Sequence, residues 1–516
     1  MLESNLDWLR QAGNVDRVRR GRRGIEKESL RVDAHGHLAR TPHPRALGSA
    51  LTNPYLTTDY SEALLEFVTP PHTSNWETLQ FLCDLHCFVH RRLGEELLWP
   101  ASMPCIVNAN EEIPIAEYGS SNTGRMRTVY RRGLGFRYGR AMQAIAGAHF
   151  NFSLAPDFWD AYGDQRAAGV PMREFKSRQM MGLVRNYRRR AWIVVYLFGA
   201  SPAFCKSFRP QGQALLEELD SNTWFAPHAT SLRMSDIGYR NTTQARLSIS
   251  ANSLEEYIAG LAVAVTTPEP RYAEIGVRVD GEFRQLNANI LQIENEYYSS
   301  VRPKPQTREI RAIAALRRDG VEYVEVRTLD LNAADPVGVN QAQMRFIEAL
   351  LILCLFAESP PISAAEQLEI DARDVQVARE GRRPQLRIPM GGRLVALRAA
   401  GAELLREVGA VAAMLEQGAA DYTAAVNAAA AAVEEPELTP SARLVAALLE
   451  NGTSFFEYVL ELAKRHRAYF ASLPLAEPME QMLAAAAEQS LTDARALEAK
   501  DDTSFEEYLR RHAEDV

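Results

Sequence analysis

The chain has 516 residues, 46 % of them hydrophobic and 24 % charged, with 58 Lys plus Arg against 66 Asp plus Glu and a net charge of −8. This is the composition of a globular protein with a large core, and length alone predicts two or three domains. The negative balance argues against wide binding to nucleic acid or an anionic membrane, and five cysteines in so long a chain make no disulfide framework.

The first residues lack a basic region followed by an apolar core, so no secretory signal is expected. The most apolar stretches, 191–205 and 346–357, are too short or too interrupted to span a bilayer. A reducing cytoplasm is the expected compartment.

Residues 5–20 predict a short amphipathic helix that leads into a strand, Gly24-Ile25-Glu26-Lys27-Glu28-Ser29-Leu30-Arg31-Val32. Side chains alternate along a strand, so Glu26 and Glu28 share a face roughly 6.7 Å apart, within reach of neighbouring cations. Taken alone, this stretch reads as a solvated edge strand with surface glutamates. A loop then delivers Asp59 to a second strand, 63–68, which carries Glu66 and is stopped by Thr69-Pro70-Pro71.

Residues 76–98 read as a helix with Cys83, His86, Cys87 and His90 on one side. These residue types ligate zinc, but the surrounding Leu82, Leu85 and Phe88 favour a core-facing helix without metal. Residues 118–140, rich in Gly, Ser, Asn and Arg, read as a surface loop able to offer N–H groups to an anion, without a P-loop pattern. The basic run 185–190 reads as a solvated helix face.

A third strand, 148–154, places His149, Asn151 and Ser153 on one face and Phe150 and Phe152 on the other. A fourth is expected over 289–298, with Gln292, Glu294, Glu296 and Tyr298 on one side. A fifth is expected over 321–329, with Tyr323, Glu325 and Arg327 together. Several strands with acid-rich faces suit a sheet curved round a polar cavity, because packed carboxylates need cations. The helical inserts between them make the class α+β. After Gly338 the pattern is mainly helical: Thr439-Pro440 starts a helix, Asn451-Gly452 stops one, and Ser454/Glu457 and Ser504/Glu507 fit capping boxes. The Ala-rich run 428–432 is a helix former. Carboxylates, a histidine and arginines round one cavity match the needs of metal-assisted phosphoryl transfer, and no GxSxG elbow supports a nucleophilic serine.

Six blocks extend this reading: 24–32, 56–70, 118–125, 149–154, 291–296 and 322–327. In that order they resemble the proteobacterial type of glutamate–cysteine ligase, within the glutamine synthetase-like carboxylate–amine ligases, from near residue 20 to about 360 and more loosely beyond. The resemblance implies a curved, mainly antiparallel sheet forming a funnel-shaped active site surrounded by helices. It divides the chain into a catalytic core (1–360) and a mainly helical C-terminal part packed on it (361–516). It also implies ATP-dependent joining of the γ-carboxylate of L-glutamate to the amine of L-cysteine through a γ-glutamyl phosphate, the first step of glutathione synthesis. ATP would be the co-substrate and Mg²⁺ the cofactor, with Mn²⁺ as a substitute; no nucleic acid or membrane partner and a monomeric state are expected. By matching positions, Glu26, Glu28, Asp59, Glu66, His149 and Glu325 are the expected metal ligands. Arg327 faces the phosphates and Arg233 a substrate carboxylate. Tyr60, Tyr130, Leu134, Gln143, Tyr239 and Tyr298 form the acceptor pocket; Tyr60 stands where phenylalanine is expected and makes that pocket slightly more polar. The alternatives are a related ligase with another amine acceptor, a phosphagen-kinase-like phosphotransferase and a non-catalytic binding protein.

Overall fold

The computed structural model describes residues 2–11, 13–104, 106–107, 113–208, 216–238, 247, 249–306, 311–416 and 421–514, which leaves Tyr239 outside. The helix expected over 5–20 forms as two, α1 (Leu2–Arg10) and α2 (Asn14–Arg19), separated at Gly13 with φ +81°. That left-handed conformation favours glycine. Strands β1 (Arg22–Val32), β2 (Leu56–Thr58) and β3 (Leu64–Val68) follow. Helix α3 (Asn75–His90), capped by Ser74, ends at His90 rather than Leu98, because Gly94 turns the chain at φ +60° and β4 (Leu97–Leu98) pairs with Arg31 and Val32.

The stretch 118–140 is not a loop: it holds helix α4 (Asn122–Tyr138), whose N-cap Ser121 accepts from the Gly124 N–H at 3.1 Å. Its glycines serve close packing. Gly124 lies on the Tyr118 carbonyl, Gly133 on the Gln292 amide and Gly135 on the Tyr60 hydroxyl, and a Cβ at any of them would collide. Each lowers helix propensity by about 1 kcal/mol, which is why the composition reads as loop.

Strand β5 (Ala148–Ser153) and helices α5 (Pro156–Arg166) and α6 (Met172–Phe198) come next. The run expected as a solvated helix face lies inside α6: Arg185 and Arg188 are each 9 % exposed. Arg185 donates to the Ala251 and Asn252 carbonyls, and Arg188 to the Tyr297 hydroxyl at 2.9 Å. Then come a small sheet of β6 (Ala203–Cys205), β7 (Glu217–Glu218) and β8 (Thr223–Phe225), helices α7 (Leu254–Thr266) and α8 (Pro270–Ile275), and the hairpin β9 (Arg278–Val279) with β10 (Glu282–Phe283).

The strand expected over 289–298 does not form. Asn287 Nδ2 donates to the Gln292 carbonyl at 3.0 Å, the Gln292 N–H donates to Glu296 Oε2 at 2.6 Å, and Glu294–Glu296 coil into a 3₁₀ turn. Side chains that bond nearby backbone offer it an alternative to a ladder. Strand β11 (Val301–Lys304), helix α9 (Ala312–Asp319) and strand β12 (Tyr323–Leu329) complete the main sheet and its inserts.

That sheet runs β11–β12–β5–β1–β3–β2, each neighbour antiparallel, with β4 beside β1. Its register sets Glu26 opposite His149, Glu28 opposite Glu66 and Asn151 opposite Glu325, so one face is polar. The other face carries buried Ile25, Phe67, Phe150, Phe152, Val324 and Val326. It rests on α3 and α6, with α10 (Gln341–Phe356) packed against both.

Lys27 also points to this back face. Its Nζ lies 3.1 Å from His86 Nε2 and over the Phe67 ring, and burial pushes the ammonium down to about 7. His86 stacks on Phe67 and Phe470, and His90 on Phe470, so the histidines of α3 are core residues as expected. Cys83, Cys87, Cys205 and Cys354 are free.

Beyond α10 lie α11 (Ala364–Glu380), a hairpin of β13 (Arg387–Met390) and β14 (Arg393–Ala396) that the sequence pattern did not reveal, then α12 (Leu397–Leu415), α13 (Tyr422–Glu434), α14 (Pro440–Asn451), α15 (Phe455–Ser472), α16 (Glu477–Lys500) and α17 (Phe505–Glu514). The predicted signals function: Thr439 caps α14, Gly452 ends it in the left-handed region, and Ser454 and Glu457 form a reciprocal capping box. Helices α12 and α13 pack on α10, α15 and α16 on α3, and α17 on α4. Among the described residues no helix is long and apolar enough to cross a membrane.

Candidate active site

Alternation along β1 aims Glu26 and Glu28 at the polar face, and pairing with β3 and β5 brings Glu66 and His149 beside them. Glu26, His149 and Glu325, all buried, offer ligand atoms within 4.8 Å of one another; among the described residues this is the one such set of His, Cys, Asp and Glu. His149 Nδ1 lies 3.4 Å from Glu26 Oε2, and Asn151 Nδ2 donates to Glu26 Oε1 at 3.0 Å. Glu325 sits among three cations: Arg327 Nη1 at 3.0 Å, Lys304 Nζ at 3.3 Å and Arg302 Nη1 at 3.8 Å.

The carboxylates divide by environment. Burial would raise Glu26, but hydrogen bonding to His149 and nearby Lys304 bring it down to about 2. Burial also acts on Glu325, where Lys304, Arg327 and His149 outweigh it and hold the group well below the usual range. Burial and the Asp59 carboxylate push Glu28 up to about 8, against Arg233 and Arg327. Glu66 is held well above the ordinary range by burial and by Glu26, Asp59 and Glu28. His149 is lowered, first by burial and then by Arg327, which keeps its imidazole neutral and available as a ligand. Like-charged carboxylates this close need cations between them, and an oxygen-rich set with one imidazole suits a hard divalent metal.

Gly147 joins two parts of the site. Its N–H donates to Glu28 Oε2 at 2.7 Å, and a Cβ there would collide with the Arg233 guanidinium. Arg233, 3 % exposed, donates to the Arg327 carbonyl at 3.1 Å and lies 3.5 Å from Asp330. Tyr298 donates to Met234 Sδ at 3.3 Å, beside Arg233. Tyr130 and Leu134 stand one turn apart on α4, Tyr60 is buried against that helix at Gly135, and Gln143 lies in a 3₁₀ turn just before β5. Asp59, half-buried, is held from α4 by Arg131: Nε donates to its backbone carbonyl and Nη2 lies 4.0 Å from Oδ1.

Arg131, Gly147, Arg302 and Lys304 were not anticipated as part of this site. Arg302 and Lys304 do carry a signal, an alternating basic pair on either side of Pro303 at a strand edge. Arg131 lay in the stretch read as loop. Conversely, Glu294 and Glu296, expected on the face of a strand, are held in structural pairs by Arg311 and by Arg137 with Tyr138.

An antiparallel sheet backed by helices, with acids, a histidine and arginines gathered on its open face, is the fold of the glutamine synthetase-like ligases. A sequence model described as glutamate–cysteine ligase matches residues 6–377. The chain belongs to the glutamate–cysteine ligase family. It is 45 % identical to the glutamate–cysteine ligase of Alcanivorax borkumensis over 522 aligned positions, which cover 100 % of this chain and 99 % of that one. It is 46 % identical to that of Azotobacter vinelandii, covering 99 % and 97 %. The crystal structure of the Francisella tularensis glutamate–cysteine ligase in complex with AMP superposes with a TM-score of 0.91 at 35 % identity, covering 96 % of this chain and 98 % of that one. A bifunctional glutathione synthetase from Pasteurella multocida shares the fold, with a TM-score of 0.67 at 24 % identity over 91 % of this chain and 53 % of that one.

Proposed function

We propose that the chain joins the γ-carboxylate of L-glutamate to the amine of L-cysteine using ATP, through a γ-glutamyl phosphate, as the first step of glutathione synthesis. The observation that carries this reading is the convergence of Glu26, Glu28, Glu66, His149 and Glu325 with Arg327 on one sheet face, in a chain of this family. Free cysteines fit a reducing cytoplasm as the place of action.

Glu26, Glu28, Asp59, Glu66, His149 and Glu325 would hold Mg²⁺, or Mn²⁺ in its place, which supplies charge neutralisation between the triphosphate and the acceptor carboxylate. Arg327 is aimed from β12 beside Glu325 and stabilises charge on the phosphoryl group as it moves from ADP to the γ-carboxylate oxygen. Arg233 offers a guanidinium fork to a substrate carboxylate. Tyr60, Tyr130, Leu134, Gln143, Tyr239 and Tyr298 hold the amino-acid acceptor. Its amine attacks the carbonyl carbon of the acyl phosphate, phosphate departs with the C–O bonding pair, and the nitrogen sheds a proton as the amide forms. Phosphorylation matters because phosphate is a good leaving group where oxide is not.

The test is ATP turnover with glutamate and a panel of amino-acid amines, with the product identified by mass. Preferred formation of γ-glutamylcysteine supports the proposal. Equal or better use of another amine overturns the choice of acceptor, and a phosphorylated product without an amide overturns the ligase reading.

A further inference from the structure

Helix α4 is held at both ends by one distant stretch of chain, the end of α16 and α17. At the start of α4, the Ser120 N–H and hydroxyl both donate to Glu498 Oε1, at 2.9 and 2.8 Å, and the Asn122 N–H donates to Asp501 Oδ2. Asn122 Nδ2 donates to the Thr503 carbonyl at 3.0 Å, and the hydroxyls of Thr123 and Tyr508 lie 3.2 Å apart. The Arg125 guanidinium covers the ring of buried Phe505, which packs edge-on against Phe283 of β10. Asp501 thus meets a first-turn N–H at the positive end of a 17-residue helix, where such bonds are strong, and Glu498 holds the residue that leads into its cap.

The same stretch reaches the far end of α4 through a relay. Arg311 Nη1 donates to the His512 carbonyl at 3.2 Å, and its Nε and Nη2 hold Glu294. Glu294 and Glu296 share one 3₁₀ turn, and Glu296 accepts from Arg137 Nη1 at 3.1 Å and from the Tyr138 hydroxyl. The ring is closed: residues 498–514, the α4 start, the helix itself, the α4 end, the 3₁₀ turn and Arg311. Tyr130, Arg131 and Leu134 lie between the two anchors, and Arg131 in turn holds Asp59.

We infer that residues 498–514 are a positioning element for the acceptor side of the site, with Glu498 and Asp501 setting the placement of α4. This rests on the proposed assignment of Tyr130 and Leu134 to the acceptor pocket. Neither carboxylate touches a reacting group. Their loss therefore moves acceptor binding most, reaches Asp59 only through Arg131, and leaves the residues carried by β1, β3, β5 and β12 in place.

The experiment compares the double variant Glu498→Ala/Asp501→Ala with Asp501→Asn, which keeps an oxygen to accept the Asn122 N–H. For the double variant, the expected result is a KM for cysteine raised roughly tenfold, a smaller rise in the KM for ATP through Arg131 and Asp59, and the KM for glutamate and the melting temperature little changed. Faster amide exchange across residues 123–138 is expected with it, and Asp501→Asn stays near the parent on every readout. An unchanged cysteine KM with unchanged exchange overturns the inference. So does a rise of all three KM values together with a global loss of melting temperature, which would mark general destabilisation. If the parent chain does not use cysteine, the proposed function falls by itself, and exchange across 123–138 alone decides whether the C-terminal stretch orders α4.

Discussion

The six carboxylate and imidazole positions assigned from the sequence are not equivalent residues. Glu26 and Glu325 are ionised and embraced by donors, whereas Glu28 and Glu66 are strained acids that a cation would relieve. Glu325→Gln should therefore abolish turnover and weaken Mn²⁺ binding without unfolding the chain, read by calorimetric titration beside circular dichroism. Retained activity would remove Glu325 from the metal site. The pH dependence follows from Glu28, about 8 in the fold against an ordinary 4.5. Between those values the native state binds more protons than the unfolded chain, so this group's contribution is full below 4.5 and is lost as pH rises through 8. A divalent ion held by Glu28 as proposed would displace that proton, so the rise in melting temperature on adding Mg²⁺ should grow steadily across this window. A metal effect independent of pH would contradict the assignment.

At the scale of elements, α4 sets the next expectation. Gly135→Ala drives a methyl group into the buried Tyr60 hydroxyl, and overpacking of this kind costs about 1–3 kcal/mol. Tyr60→Phe removes the obstructing oxygen, which has no hydrogen-bond partner among the described residues, and should be neutral or slightly stabilising alone. Denaturant unfolding of the two single variants and the double should show strong coupling, with the second change recovering most of the loss. The same helix marks where the sequence stopped being legible. Strands 24–32, 63–68, 148–154 and 321–329 could be read because alternation survives burial on both faces. α4 could not, because the glycines that weaken its helical signal answer to packing against Tyr118, Gln292 and Tyr60, and the last two lie far away in sequence. The acids of 289–298 alternate like a strand, yet Glu296 accepts from the nearby Gln292 N–H and closes a turn, which Arg137 and Arg311 hold from elsewhere in the chain. The basic run 185–190 was misjudged for a related reason: the carbonyls that accept from Arg185 belong to residues 251 and 252. For the basic run and for Gly133 and Gly135 of α4 the deciding partners are long-range, and no local window contains them.

Over the whole molecule, one buried polar junction ties the sheet to the C-terminal helices. Glu348 of α10 accepts from Arg23 Nε of β1 at 3.0 Å, from Asn75 Nδ2 of α3 at 2.8 Å and from the Tyr422 hydroxyl of α13 at 2.8 Å. Glu348→Ala leaves the 2 %-exposed Arg23 uncompensated and should cost about 3–5 kcal/mol in denaturant unfolding. A loss under 1 kcal/mol, the scale of an exposed ion pair, would mean that the junction is dispensable. Strand β1, which leaves this junction, carries Glu26, Lys27 and Glu28 in immediate succession, with the acids on one side of the sheet and the lysine on the other. A slip of one residue would send both carboxylates into the apolar layer against Phe67 and Phe470 and lift the ammonium onto the polar face. Either half of that exchange is prohibitive, so the charge sequence acts as a proofreading device for strand register. Single-residue insertions or deletions between Arg22 and Glu28 should then be absent from any library selected for folding, even where substitutions at the same positions are tolerated.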